Sequence, residues 1–130
     1  MEKTENSLRL HTANLGLLAG RVTVPAYDRT KLKAGIVHFG VGNFHRAHQG
    51  HYLDDLFSAG LDHDWAIIGA GVRPSDEAMR KALVGQDYLT TIVEQDAERT
   101  TARVIGPMVG FIEPGNSAAI ISSLAHPAIR

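Results

Sequence analysis

Apolar residues fall in runs and stripes whose spacing predicts alternating strands and helices. Ile36, Val37 and Phe39 form a short run of β-branched and aromatic residues, as a covered strand prefers. This strand is expected over Gly35–Phe39, followed by a helix from about Asn43 to Ser58 that stops near Gly60. The helix's apolar positions, Phe44, Ala47, Tyr52, Leu53, Leu56 and Phe57, do not form one stripe, so it is expected to pack on more than one side. After the polar turn Asp62-His63-Asp64, Trp65–Gly69 is a second continuous apolar run. Continuous rather than alternating polarity implies a strand covered on both faces, as in a parallel sheet, and makes strand–helix–strand a right-handed βαβ unit.

Downstream, Pro74–Glu77 opens a helix to about Val84, with Ser75 as expected N-cap and Asp76 and Glu77 suited to the first-turn dipole. Tyr88–Glu94 and Thr101–Ile105 flank a polar turn and read as a hairpin. Gly106-Pro107 breaks it, Val109–Ile112 is extended, and Ser117–Leu124 is a last helix ended near His126-Pro127. Residues 1–34 read as an irregular arm, interrupted by Gly16, Gly20 and Pro25, which covers an edge or face and carries no chemistry. The division is an arm over 1–34 and part of a dinucleotide-binding domain over 35–130. Only two good parallel strands are counted where such a domain has about six, so the sheet is expected to be incomplete at its C-terminal side.

Gly40-Val41-Gly42 sits between the first strand and its helix. Backbone N–H groups at a helix N-terminus attract phosphate, so a dinucleotide pyrophosphate is one reading; a plain tight turn is the other. The usual fingerprint places a third glycine at its sixth position, where this chain has His45. The fingerprint's acid, counted about 20 residues on, would be Asp62 or Asp64, but both precede the second strand. Ligands in such sheets bind beyond the carboxyl ends of strands, which favours Asp76, with an ordinary first-turn acid as its alternative. Arg73 nearby would suit a 2′-phosphate and keeps NADP open beside NAD.

Three histidines, His45, His48 and His51, lie within roughly a third of a turn on a helix. They read as a polar, partly packed face rather than a zinc site, since no cysteine or placed carboxylate completes a ligand set. Arg46 either meets an anionic ligand or pairs with Asp54, Asp55 or a more distant acid. Lys81, His63 and Tyr88 form no recognisable acid–base constellation, so no catalytic residue is assigned.

Composition narrows the classes. The 130 residues are 44% hydrophobic, enough for a packed core. A net charge of −1 gives no electrostatic case for nucleic acid or an anionic membrane. Absence of cysteine removes thiolate chemistry and is compatible with a cytoplasmic setting, and Met1–Leu10 is too polar for a signal peptide.

Gly40-Val41-Gly42-Asn43-Phe44-His45-Arg46-Ala47-His48-Gln49 resembles the opening of the mannitol dehydrogenase family of long-chain polyol dehydrogenases. The likeness continues at Tyr52, Asp54-Asp55, Trp65–Arg73, Met79-Arg80, Gln86–Leu89, Thr91–Glu94 and Arg103–Gly106. The resemblance implies a Rossmann-like α/β fold, mostly parallel with a β-hairpin excursion. It implies NAD, with NADP as an alternative, and interconversion of a polyol or sugar acid with its keto form. The family tolerates Phe-His-Arg at the sixth fingerprint position and uses no zinc. Its general base is a lysine in a C-terminal portion that this chain is expected to lack, so the chain alone is expected to be inactive. The candidate cofactor residues are Gly35, Ile36, Val37, His38, Phe39, Gly40, Val41, Gly42, Asn43, Phe44, His45, Arg46, Arg73 and Asp76. The alternative is an inactive remnant acting as a weak nucleotide-binding or interaction module.

Overall fold

The computed structural model describes residues 7–130, so part of the polar stretch Met1–Leu10 lies outside the described residues. Three parallel strands, β1 (Ala34–Phe39), β2 (Ala66–Ala70) and β5 (Met108–Ile112), form a sheet in the order β1-β2-β5. Strand β2 is central, and Ala66, Ile67 and Ala70 are each at most 1% exposed. Coverage on both faces is what its unbroken apolar run requires. The segment expected only to be extended at Val109–Ile112 is thus a third parallel strand, with Phe111 paired to Gly69 and Ile112 to Ala70.

The β1–β2 crossover is helical over 43–58, in three parts: α2 (Asn43–His45), a π turn (Arg46–Gly50) and α3 (His51–Ser58). The predicted span holds, but the π turn has no counterpart in the apolar spacing. The β2–β5 crossover contains α4 (Asp76–Val84) and the antiparallel hairpin β3 (Thr90–Gln95) and β4 (Thr100–Ile105), followed after β5 by α5 (Ser117–Leu124). Ser75 precedes α4 but makes no side-chain cap; the carboxylate of Asp76 turns the preceding loop instead.

The core joins both crossovers to the sheet. Val41, Ile67, Leu83, Met108 and Phe111 cluster, with Ile36, Leu53, Met79 and Tyr88 packed around them. Gly69 lets this cluster close: a Cβ there would lie 2.6 Å from Val41 Cγ2 and 3.1 Å from Phe111. Helix α3 is held between the sheet and the hairpin. Phe57 is buried against the edge of Tyr27, while Gly50 sits where a Cβ would meet Ile105 at 3.2 Å. Packing on two sides is why its apolar residues form no single stripe. Phe44 and Tyr52, 78% and 64% exposed, face outward.

A buried ionic network ties the arm to this frame. The arm holds a 3₁₀ turn (Thr12–Asn14), α1 (Leu15–Leu18) and a second 3₁₀ turn (Arg29–Lys31). Asp54 on α3 is 2% exposed and accepts from the Tyr27 hydroxyl, the Gly106 amide and the Arg103 guanidinium. Arg103 also meets Asp55 at 2.6 Å and His51 at 2.8 Å. An ion pair with these acids was one of the alternatives for Arg46; the structure gives them Arg103, because β4 lies over α3 while Arg46 bends back to the helix start. Burial and the Asp54 carboxylate push the Tyr27 hydroxyl pKa far up, so it stays a donor. Arg29 binds the Gly106, Asp87 and Met108 carbonyls at 2.8–2.9 Å. Replacing Asp54 by alanine takes the shared acceptor from the Tyr27 hydroxyl and the Gly106 amide and leaves Arg103 with only Asp55 of the acid pair. We expect a loss of about 3–5 kcal/mol in denaturant unfolding; a loss below about 1 kcal/mol would show that the network is incidental to stability.

Candidate functional site

At the carboxyl end of β1 the chain must leave the sheet and start a helix within four residues. Gly40 does this with φ at +85°, a left-handed value that side chains disfavour. Its N–H binds the Ala70 carbonyl at 3.1 Å, which fixes the turn to the end of β2. Val41 points inward to the core cluster. Gly42 then occupies the N-cap position with extended backbone and no side-chain cap. A Cβ at Gly40 or Gly42 would meet no atom within 4 Å. The absent side chains therefore leave open space above a helix N-terminus whose first N–H groups no side chain satisfies. That is a cradle for an anion approached by backbone.

The open side continues into a cleft of about 570 Å³ lined by His38, Gly40, Gly42, Phe44, His45, His48, Gln49 and Tyr52. Its floor is a stacked pair of imidazoles, His38 from β1 and His45 from α2, 3.6 Å apart between centroids and 11° from parallel. His45 is 7% exposed, and neither of its ring nitrogens has a hydrogen-bond partner among the described residues, nor does Gln49 Oε1. Burial, followed by His38 and Arg46, lowers the pKa of His45 to about 4; burial lowers that of His38 too. Both rings are thus held neutral.

The three helical histidines do not converge. His45 stacks inward, His48 contacts the Phe44 carbonyl at 2.8 Å, and His51 meets Arg103. The π turn between them separates their directions. Arg46 donates to Asn43 Oδ1 at 2.7 Å and to the Gly42 carbonyl at 3.4 Å, folded against the helix start. Of the remaining candidates, Ile36 and Val37 run along β1 toward this end, and Phe39 closes it, 44% exposed. Gly35 lies at the opposite end, where a Cβ would clash with the Asp64 carbonyl at 2.3 Å.

Asp76 sits past the carboxyl end of β2, the strand beside the glycine turn. One carboxylate oxygen accepts the N–H groups of Val72 and Arg73, each at 2.9 Å. These bonds, the Arg73 amide foremost, hold its pKa below the usual carboxylate range. Its other oxygen faces the exposed Arg73 guanidinium at 3.6 Å. Asp64 pairs instead with Arg130 at the amino end of β2, the wrong end for a ligand. The network residues Tyr27, Arg29 and Arg103 escaped the sequence reading, since nothing local announces partners 27 to 79 positions away.

The profile of the mannitol dehydrogenase Rossmann domain matches residues 34–129. This chain belongs to the mannitol dehydrogenase family. It is 57% identical over 110 residues to mannitol 2-dehydrogenase of Cereibacter sphaeroides, covering 84% of this chain and 23% of that protein. Mannitol 2-dehydrogenase of Aspergillus niger is 46% identical over 129 residues, covering 95% and 26%. The solved Pseudomonas fluorescens mannitol 2-dehydrogenase, a ternary complex with NAD and D-mannitol, superposes with a TM-score of 0.90 at 45% identity, covering 95% of this chain and 25% of that one. A substrate-free D-sorbitol dehydrogenase gives 0.83 at 33% identity, covering 95% and 26%. The chain spans about a quarter of the length of these relatives. The Rossmann-like parallel sheet with its hairpin is thus shared with solved relatives.

The neutral histidine pair has a consequence for stability. His45 titrates near its ordinary 6.5 when unfolded and near 4 when folded, so between these values the unfolded chain binds more protons. Stability should therefore fall as pH drops from about 6.5 to about 4, by about 1–3 kcal/mol. Unfolding curves for wild type and His45→Gln across that range check this. Equal pH slopes in the two proteins would refute it.

Proposed function

We propose that this chain is the cofactor-binding portion of an NAD-dependent oxidoreductase that interconverts a polyol or sugar acid with its keto form. The observation that carries the reading is the cradle at Gly40 and Gly42: open Cβ directions above an uncapped helix N-terminus, at the carboxyl end of a parallel strand. The relative solved with NAD and D-mannitol supports the choice of cofactor and substrate class. A bound nicotinamide cofactor supplies a hydride acceptor or donor. The chain's own part is to hold it. Backbone N–H groups after Gly42 take the pyrophosphate, and Arg46 adds positive charge at the helix start. Asp76 takes the adenosine ribose with the oxygen that the loop amides do not hold, repelling a 2′-phosphate; Arg73, which faces that oxygen, is the group that would favour NADP. Of Gly35 to Phe39, His38 lines the cleft beside the cradle and is the member placed to meet the cofactor, while Gly35 lies at the far end of the strand.

The same proposal divides the chain into an arm over 1–34 and a dinucleotide-binding portion over 35–130. It also places the protein in the cytoplasm with a small-molecule substrate. Among the described residues no helix is long and apolar enough to cross a membrane.

Calorimetric titration of NAD into wild type and Gly42→Val tests the reading. The Cβ direction of Gly42 is empty and its φ is −104°, so the variant should fold normally. We expect its NAD affinity to drop at least about tenfold, as a side chain fills the cradle. Equal binding by both proteins would overturn the pyrophosphate assignment, and no binding by either would leave the interaction-module alternative. For cofactor choice, Asp76→Asn keeps an oxygen for the Val72 and Arg73 amides and removes the charge. Its preference for NAD over NADP should shrink by about tenfold; an unchanged preference would remove Asp76 from that role.

A further inference from the structure

Asp87 and Tyr88 adjoin, and both adopt left-handed backbone, φ 53° and 59°. Two such residues in succession, neither a glycine, need outside support. Part of it is local, since the Tyr88 amide donates to the Leu83 carbonyl at 2.8 Å and Gln86 Nε2 to the Leu89 carbonyl at 2.7 Å; the rest comes from the N-terminal arm. Arg9 donates to the Gly85 carbonyl at 2.7 Å, and Arg29 donates to the Asp87 carbonyl at 2.9 Å. The Thr12 amide and the His11 ring both reach one carboxylate oxygen of Asp87, each at 3.1 Å. Four contacts from the arm therefore converge on loop 85–88.

The left-handed pair directs Tyr88 against the cluster of Val41, Ile67 and Met108. Val41 is the residue between the two glycines of the cradle. Tyr88 also shares the wall of a small void with His45 and Arg46, the first turn of the helix behind that cradle. Arm, loop, Tyr88 and glycine turn are thus in continuous packing, although no described residue of the arm lines the cleft.

We propose that the arm is a strap that holds loop 85–88 in its strained form and thereby positions the glycine turn, with Asp87 as the positioning residue. Only its effect on affinity rests on the cofactor reading above. The arm acquires a purpose beyond covering a surface: its detachment would let the loop relax, withdraw Tyr88 and slacken the backbone around Val41.

The test is amide hydrogen exchange on the 130-residue chain, wild type against Asp87→Gly and His11→Ala. Glycine accepts the backbone at 87 while removing the carboxylate that His11 and Thr12 hold. His11 is half-exposed, so His11→Ala folds in any case. We expect amides of 85–89 to exchange about tenfold faster in Asp87→Gly, with a smaller rise in His11→Ala. The amides of Gly40 and Gly42 should follow by about threefold or more, while the β2–β5 ladder stays unchanged. NAD dissociation constants should rise about threefold to tenfold in Asp87→Gly. Unchanged exchange at 85–89 in both variants would overturn the strap. A loosened loop with unmoved Gly40 and Gly42 amides would overturn its action on the turn. If wild type binds no NAD, the cofactor reading fails and the amides still decide the strap.

Discussion

The carboxylate of Asp54 lies 2% exposed on α3 and accepts hydrogen bonds from three separate parts of the chain. Tyr27 comes from the arm, Gly106 from the β4–β5 turn and Arg103 from the hairpin. A buried charge is tolerated only when its acceptor capacity is filled, and a half-filled set is worse than none. These parts are therefore committed together. The hairpin shares no ladder with the parallel sheet, so its place is set by this network, by the contact of Gly50 with Ile105 and by a backbone bridge from Thr23 to Arg103. The arm, which has little regular structure, is located by Tyr27 and Arg29.

Fixing Asp54 inward also fixes which way the rest of α3 points. Phe57 then enters the core against Tyr27, while Phe44 and Tyr52 stand in solvent beside the cleft. The cradle depends on this orientation at one end and on the sheet at the other. Gly40 is tied to Ala70 of β2 and Val41 to Gly69, so the turn cannot drift from the strand ends where a ligand would lie. Binding by backbone demands such rigidity, because a loop that must be ordered by its ligand spends affinity on ordering itself.

Local patterns were legible where local physics decides. The apolar runs at Ile36–Phe39 and Trp65–Gly69 gave strands, the hairpin followed from Tyr88–Ile105, and Gly60 ended the long helix near Ser58. The turn was legible from its two glycines between strand and helix, which left a phosphate site and a plain tight turn both open. What escaped was long-range. Arg103 finds Asp54 across 49 positions, and no spacing rule chooses it over Arg46. Val109–Ile112 has too ordinary a pattern to declare its partner β2. Ser75 looked like a cap, yet Asp76 took the loop amides because an ionised carboxylate is a stronger acceptor than a neutral hydroxyl.

The residue at the sixth fingerprint position joins these points. A third glycine there normally lets the helix approach the strand closely. Here the gap between β1 and the helix is filled by two flat rings, and the 3.6 Å His38–His45 stack sets the spacing. Turning His45 toward β1 fixes the face that α2 presents. Turning Asp54 and Phe57 inward fixes the face of α3. A regular α-helix advances about 100° per residue and has no freedom to reconcile two independently set faces. The π turn at Arg46–Gly50 supplies the missing rotation, since it widens one turn by about one residue. Gly50 at its end removes the side chain that this widening would drive into Ile105. The histidine at the sixth fingerprint position and the interrupted helix are thus two sides of one packing solution.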